Sequence, residues 1–202
     1  PVALCVILLP SLVMYAVEAY GWKITLGPAG QAVSFLRVFA VRTAGEVVNM
    51  TTPTAYVGGE PLKAYLLQKS GVPMVEGLAS VVIAKTTMTI AQVLFILLGI
   101  GLGFWILGAQ GSPGQVVAAG LLSVGLLAFG AMAFVFVQRR GLFIWILETL
   151  RKLGIRIGFL EAREGKLREL DQTILNFYTR HQTAFYASTA LYFLGWLAEA
   201  LE

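Results

Sequence analysis

Charge is what this sequence has least of. Of its 202 residues only 13% are Asp, Glu, Lys or Arg, against about 25% in an ordinary soluble domain, and the mean hydropathy is +0.78. Cysteine and histidine are rarer still, with Cys5 and His181 the only residues of their kinds. Zinc, haem and Cys/His nucleophile sites each need several such side chains, so metal centres, thiol catalysis and a disulfide framework drop out together. No metal and no cofactor is expected. P-loop, HExxH and GxSxG patterns are missing too, which removes the residues that common phosphate and acyl chemistry requires. Cys5 reads as a small lipid-facing hydrophobe, and His181, beside Arg180, as an interfacial side chain.

What is present is hydrophobic, 57% of the chain, and it comes in long runs. A bilayer core about 30 Å thick takes roughly 20 helical residues to cross, and 86–107 and 114–138 are uncharged runs of that length. The predicted fold class is all-α, a polytopic helical membrane protein with one transmembrane domain over 1–202. Spans are expected at about 2–20, 29–50 with 61–69, 78–107, 114–138 and 182–202, with an inner loop over 139–181. The chain begins at Pro1 and its last apolar run stops at Glu202, so part of a longer protein is expected. A cleaved signal peptide fits poorly, because no basic segment precedes the first apolar run and no small-x-small site follows it.

Between Gln138 and Arg180 lie nine Lys/Arg and five Asp/Glu, which together carry the whole formal charge of +4. Cytoplasmic loops hold the Lys/Arg excess, so this loop is expected inside and the turn AQGSPG at 109–114 outside. Lys69 and Lys85 then fall at the cytoplasmic start of the 86–107 run. Within the loop, Leu160, Leu167, Leu170, Ile174, Phe177 and Tyr178 recur at helical spacing opposite Arg163, Lys166, Arg168, Glu169 and Asp171. Such a helix either lies on the inner membrane surface, where basic groups meet anionic headgroups, or packs against other inner parts of the protein. Gly99 and Gly103 form one GxxxG pair, a weak signal for a helix contact.

The stretch GEVVNMTTPTAYVGGEPLKAYLL at 45–67 breaks the greasy pattern. Its approach carries Arg37 and Arg42, and ionisable groups at membrane depth usually face a protein interior or a water-filled cavity. Arg42, Glu46 and Asn49 follow i, i+4, i+7 spacing and share a helix face, with an Arg42–Glu46 pair the natural way to hold them. Pro53 and the Gly58–Gly59 pair end that helix, and Pro61 suits the first position of a new one, with Glu60 near its cap. Irregular backbone at membrane depth survives only where it is buried or lines a cavity. The new helix start would seat a phosphate or carboxylate, unless Glu60 satisfies it alone. Two topologies stay open: a re-entrant hairpin if Lys23 is cytoplasmic, or one broken span if it is outside. Positive-inside counting favours the hairpin.

At these residues the chain resembles a known family. Gly45, Glu46, Asn49, Pro53, Gly58, Gly59, Glu60, Pro61 and Lys63, with the later LDQTILNFYTRHQ and 196–199 segments, are similar to the flippase-like transmembrane domain of lysylphosphatidylglycerol synthases (the multiple peptide resistance factor) and its hopanoid-associated relatives. The resemblance spans about 37–202 and is specific in 45–67. It implies a multi-pass bacterial inner-membrane protein that moves lipids or lipid-linked molecules between leaflets without hydrolysing ATP. The aminoacyl-transferase domain of the full synthases is not in this chain, and the chain is expected not to be an enzyme.

A substrate groove is therefore expected from Arg37, Arg42, Glu46, Asn49, Thr51, Thr52, Pro53, Gly58, Gly59, Glu60 and Lys63, with cations for the phosphate and carboxylates to position them or receive a cationic headgroup. The expected partners are membrane lipids, anionic ones foremost, with a homo-oligomer or lipid-synthesis enzymes as protein partners and no nucleic acid. Two other functions compete. One is a non-transporting subunit of a lipid-synthesis system, and the other an intramembrane enzyme using Glu46 and Glu60 as an acid/base pair. Glu199 joins the site only if the last span continues past Glu202.

Overall fold

A computed structural model describes residues 2–52, 58–107, 114–155 and 157–200. Regular structure among them is helical: α1 (Val2–Thr25), a 3-10 turn (Gly27–Ala32), α2 (Phe35–Thr51), α3 (Gly59–Gln68), α4 (Met74–Leu107), α5 (Gly114–Arg139), α6 (Leu142–Lys152), α7 (Gly158–Glu161), α8 (Glu164–Arg180) and α9 (Gln182–Glu199). Two segments are long and apolar enough to cross a bilayer, Met74–Gly103 and Ala118–Arg139. The protein is an α-helical membrane protein. Pro53 and the turn at 109–113 lie outside the described residues.

α4 is the spine, and α1, α3, α5, α8 and α9 all pack on it. Short polar links fix their directions. Thr87 and Ser188 share a hydrogen bond of 3.1 Å and Phe95 stacks on Trp196, so α9 runs parallel to α4. α1 runs against both: the Trp22 indole N–H donates to Ser80, while Gly21 fits under the Tyr192 ring and Gly195 against Glu18. Small residues at these crossings let helices approach where lipid supplies no hydrophobic drive. α5 returns antiparallel to α4, and the buried Gln138 amide donates to Thr86 at 2.9 Å.

Consequently the end of α1, the start of α2, the end of α3 and the start of α4 share one end of the bundle with α6 and α8. Arg37 donates to Ser70 there at 2.9 Å, joining the base of α2 to the turn after α3. Gly77 of α4 packs on Ala64 of α3. Met74 to Lys85 projects beyond the level of Gln138, so Lys85 lies twelve residues into α4 rather than at its start.

The amphipathic helix takes the second of its two expected places. Leu170, Ile174, Phe177 and Tyr178 are buried against Ala79 and Ile83 of α4, an apolar wall inside the protein. It is also shorter than expected, since Leu160 belongs to the separate α7. Asp171 does not sit on a solvated face: its carboxylate accepts the backbone N–H of Phe143 at 3.1 Å and of Ile144 at 2.9 Å. That caps α6, an amphipathic helix within the expected inner loop. The chain enters α6 through Gly141 at φ +91°, a left-handed turn in which a side chain would be strained. Gly99 and Gly103 touch nothing within the described chain, so the GxxxG pair makes no helix contact there.

Candidate functional site

α2 begins where Ser34 accepts the Arg37 N–H and ends where the Thr51 and Thr52 hydroxyls fold back onto the carbonyls of Val47 and Val48. It lies between α1 and α3. Its charged residues consequently point two ways, and the expected Arg42–Glu46 pair does not form. Arg42 reaches out to Glu18 of α1, both residues only 7% exposed. Glu46 turns to α3, where it accepts the Lys63 ammonium at 2.7 Å. Adjacent turns of one helix thus serve two neighbouring helices, and two interhelical bridges replace one bridge within a helix.

Lys63 also meets Glu60 at 3.2 Å, and Glu60 in turn meets Lys85 of α4 at 3.1 Å. Asn49 completes the knot by donating to Glu60 at 3.2 Å while its oxygen accepts the Gly59 N–H at 2.8 Å. The start of α3 is therefore held by an Asn from the preceding helix, and Glu60, instead of closing the helix end alone, turns toward lysines. α3 starts at Gly59, two residues before the expected Pro61, with Gly58 as its cap residue. Proline lacks an N–H and is tolerated in a first turn.

Two glycines make the close approach. A Cβ on Gly45 would collide with the Lys63 stem, and one on Gly59 with the Gly45 carbonyl and the Asn49 amide. Gly45 and Gly59 are thus as constrained as the charges beside them. Lys63 is buried, whereas the Lys85 side chain is 41% exposed, so the network opens to the outside at Lys85.

Between these groups lies a cavity walled by Trp22, Arg42, Glu46, Lys63, Lys85 and Tyr192. It is a partly open pocket of about 20 Å³, room for about one water. Arg42 Nη1 is buried beside it without a hydrogen-bond partner among the described residues. Among those residues no cluster of three or more His, Cys, Asp or Glu gathers as a metal site would.

Of the residues expected in the groove, Arg42, Glu46, Asn49, Gly59, Glu60 and Lys63 come together. Arg37 does not, because it is at the opposite end of α2 on Ser70. Thr51 and Thr52 spend their hydroxyls on their own helix, Gly58 is backbone only, and Pro53 is outside the described residues. Glu18 and Lys85 belong to the network and were not expected in it. Glu18 carried a readable signal, as the sole acid in an apolar run before Lys23; the rule that marks Arg42 marks it equally.

No curated protein and no solved structure matches this sequence. A family model does, over residues 1–202, and it describes the lysylphosphatidylglycerol synthase TM region. The resemblance carried by the 45–67 block thus extends over the entire sequence, and the chain belongs to the lysylphosphatidylglycerol synthase transmembrane-region family.

Proposed function

We propose that this chain moves a phospholipid or lipid-linked molecule between membrane leaflets, with the Arg42–Glu46–Lys63 network as the headgroup station. The observation that carries the reading is Arg42 Nη1, which is buried without a hydrogen-bond partner among the described residues while the rest of the guanidinium pairs with Glu18 and lies over the Tyr15 ring. Burying such a donor unmet is costly, and a phosphate or carboxylate oxygen entering the adjacent cavity would satisfy it.

Depth supports the same reading. From Met74 to Lys85, α4 rises about 17 Å at 1.5 Å per residue, about half a hydrocarbon thickness, within the apolar Met74–Gly103 segment. On this reading the network lies inside the core, on the path a headgroup takes between leaflets. α2 and α3 then form a re-entrant hairpin whose base faces the cytoplasm, in a multi-pass protein of the bacterial inner membrane. The pocket holds only about 20 Å³, so headgroup entry requires the Lys85–Glu60 bridge to open. No bond-making step is assigned to Glu46 or Glu60, whose charges are held by lysines.

One observation favours the competing role as a non-transporting subunit. The three acids Glu18, Glu46 and Glu60 are balanced by Arg42, Lys63 and Lys85, as a purely structural lock would be. Reconstitution separates the two. The purified full-length protein is placed in liposomes with headgroup-labelled lipids and quenched with dithionite, beside Arg42→Ala and Glu46→Ala. Wild-type flipping lost in both folded variants supports transport through this site. Folded variants that flip as well as wild type refute it.

A further inference from the structure

A second feature stands apart from the buried network. Between α4 and α5 runs an apolar crevice of about 490 Å³ walled by Ile90, Leu94, Leu97, Ala131 and Phe136, with Phe185 of α9 at one side and Arg139 at its mouth. Its size falls in the range of small-molecule sites, about 300–1,000 Å³. Arg139 also lines the next depression, which it shares with Arg140 and Arg168. One arginine therefore joins a greasy slot to a basic shelf.

The charges on that shelf are unequal. Arg168 is committed to Glu164 at 2.9 Å, and Asp171 to the N–H groups of α6. Arg139 and Arg140 form no ion pair among the described residues and lie instead over rings, Arg139 over Tyr178 at 5.6 Å and Arg140 over Phe136 at 4.3 Å. Both are exposed. Their position is fixed, because the neighbouring Gln138 is buried and bound to Thr86 and to the Tyr178 hydroxyl, which donates to it at 2.6 Å. A planar guanidinium is suited to phosphate, and its weak hydration lets it work at the edge of an apolar surface.

We propose that an anionic phospholipid occupies this crevice, one acyl chain between α4 and α5 and its phosphate on Arg139 and Arg140. This lipid is resident, distinct from any transported one, and it seals α5 to the spine where side chains leave a gap. The inference does not depend on transport by the Arg42 network.

The test is native mass spectrometry of the purified full-length protein titrated with phosphatidylglycerol or phosphatidylcholine. Wild type should hold phosphatidylglycerol about tenfold more tightly, because phosphatidylcholine presents the same phosphate but its choline cation opposes Arg139 and Arg140. Arg139→Gln with Arg140→Gln should erase that preference, and Ala131→Trp, which fills the slot, should weaken both lipids about tenfold with melting unchanged. Glycerol phosphate, which has no acyl chain, should not displace the lipid. Arg42→Ala should keep the bound lipid even if flipping is gone, which separates this proposal from the preceding one. Variants that bind like wild type, or a lipid-free dimer that covers the crevice, would overturn it.

Discussion

Lys63 and Lys85 touch the same Glu60 oxygen, yet they are not equivalent. Lys63 is buried and its loss leaves Glu46 and Glu60 facing each other; removing one partner of a buried pair costs about 3–5 kcal/mol. Lys63→Met should lower the melting temperature sharply in detergent. Lys85 is 41% exposed in its side chain, and exposed bridges contribute about 0–1 kcal/mol, so Lys85→Met should leave melting nearly unchanged while speeding lipid movement, because the bridge that must open is gone. Equal melting losses in the two variants would contradict this ranking. Gly59→Ala drives a methyl into the Gly45 carbonyl and should destabilise by about 1–3 kcal/mol, the usual cost of overpacking. At this scale the sequence disclosed the residues better than their pairings. Arg42 and Glu46 stood out by charge in an apolar setting, but only the placement of α1 and α3 decided that they turn to Glu18 and Lys63 instead of each other.

Helices were legible where a run was long and uniform. α5 was expected at 114–138 and occurs as Gly114–Arg139, because nothing in it competes with helical, lipid-facing packing. α6 escaped notice because its eleven residues sit between Arg139 and the charged loop, and the Asp that caps it lies 28 residues further on. Capping across such a distance cannot be read from local pattern. Asp171→Ala removes both acceptors for the first turn of α6 and should cost about 1–3 kcal/mol, seen as faster amide exchange in α6. Glu164 ties α8 to Arg151 of α6, and its carboxyl is held below the ordinary 4.5 by the Arg168 hydrogen bond and then by that of Arg151. A lowered carboxyl stabilises above 4.5 and loses that contribution as pH falls through its lowered value. Acidification below pH 4.5 should therefore speed exchange in α6 more in wild type than in Glu164→Gln, and equal pH profiles would contradict the link.

The whole molecule places Lys23, Ser70 and Arg140 toward one end of the bundle, as the Trp22–Ser80, Arg37–Ser70 and Gln138–Thr86 links require. With Cys5 replaced by serine, single cysteines at those three positions should react with a membrane-impermeant maleimide from the cytoplasmic side alone. Labelling of Lys23→Cys from outside would restore the broken-span alternative that counting charges left open.

Whether the buried network transports or merely locks the helices is decided by exchanging a pair instead of a single residue. Glu18→Gln with Arg42→Met removes both charges of one bridge and keeps their approximate shapes, and replacing both partners of a buried pair is often neutral for stability. Flipping by this double variant in liposomes, read beside its melting temperature, is the most direct measurement. Melting restored near wild type with flipping abolished is the predicted result. Melting and flipping both restored would contradict a headgroup role for Arg42 and reduce the network to a structural lock.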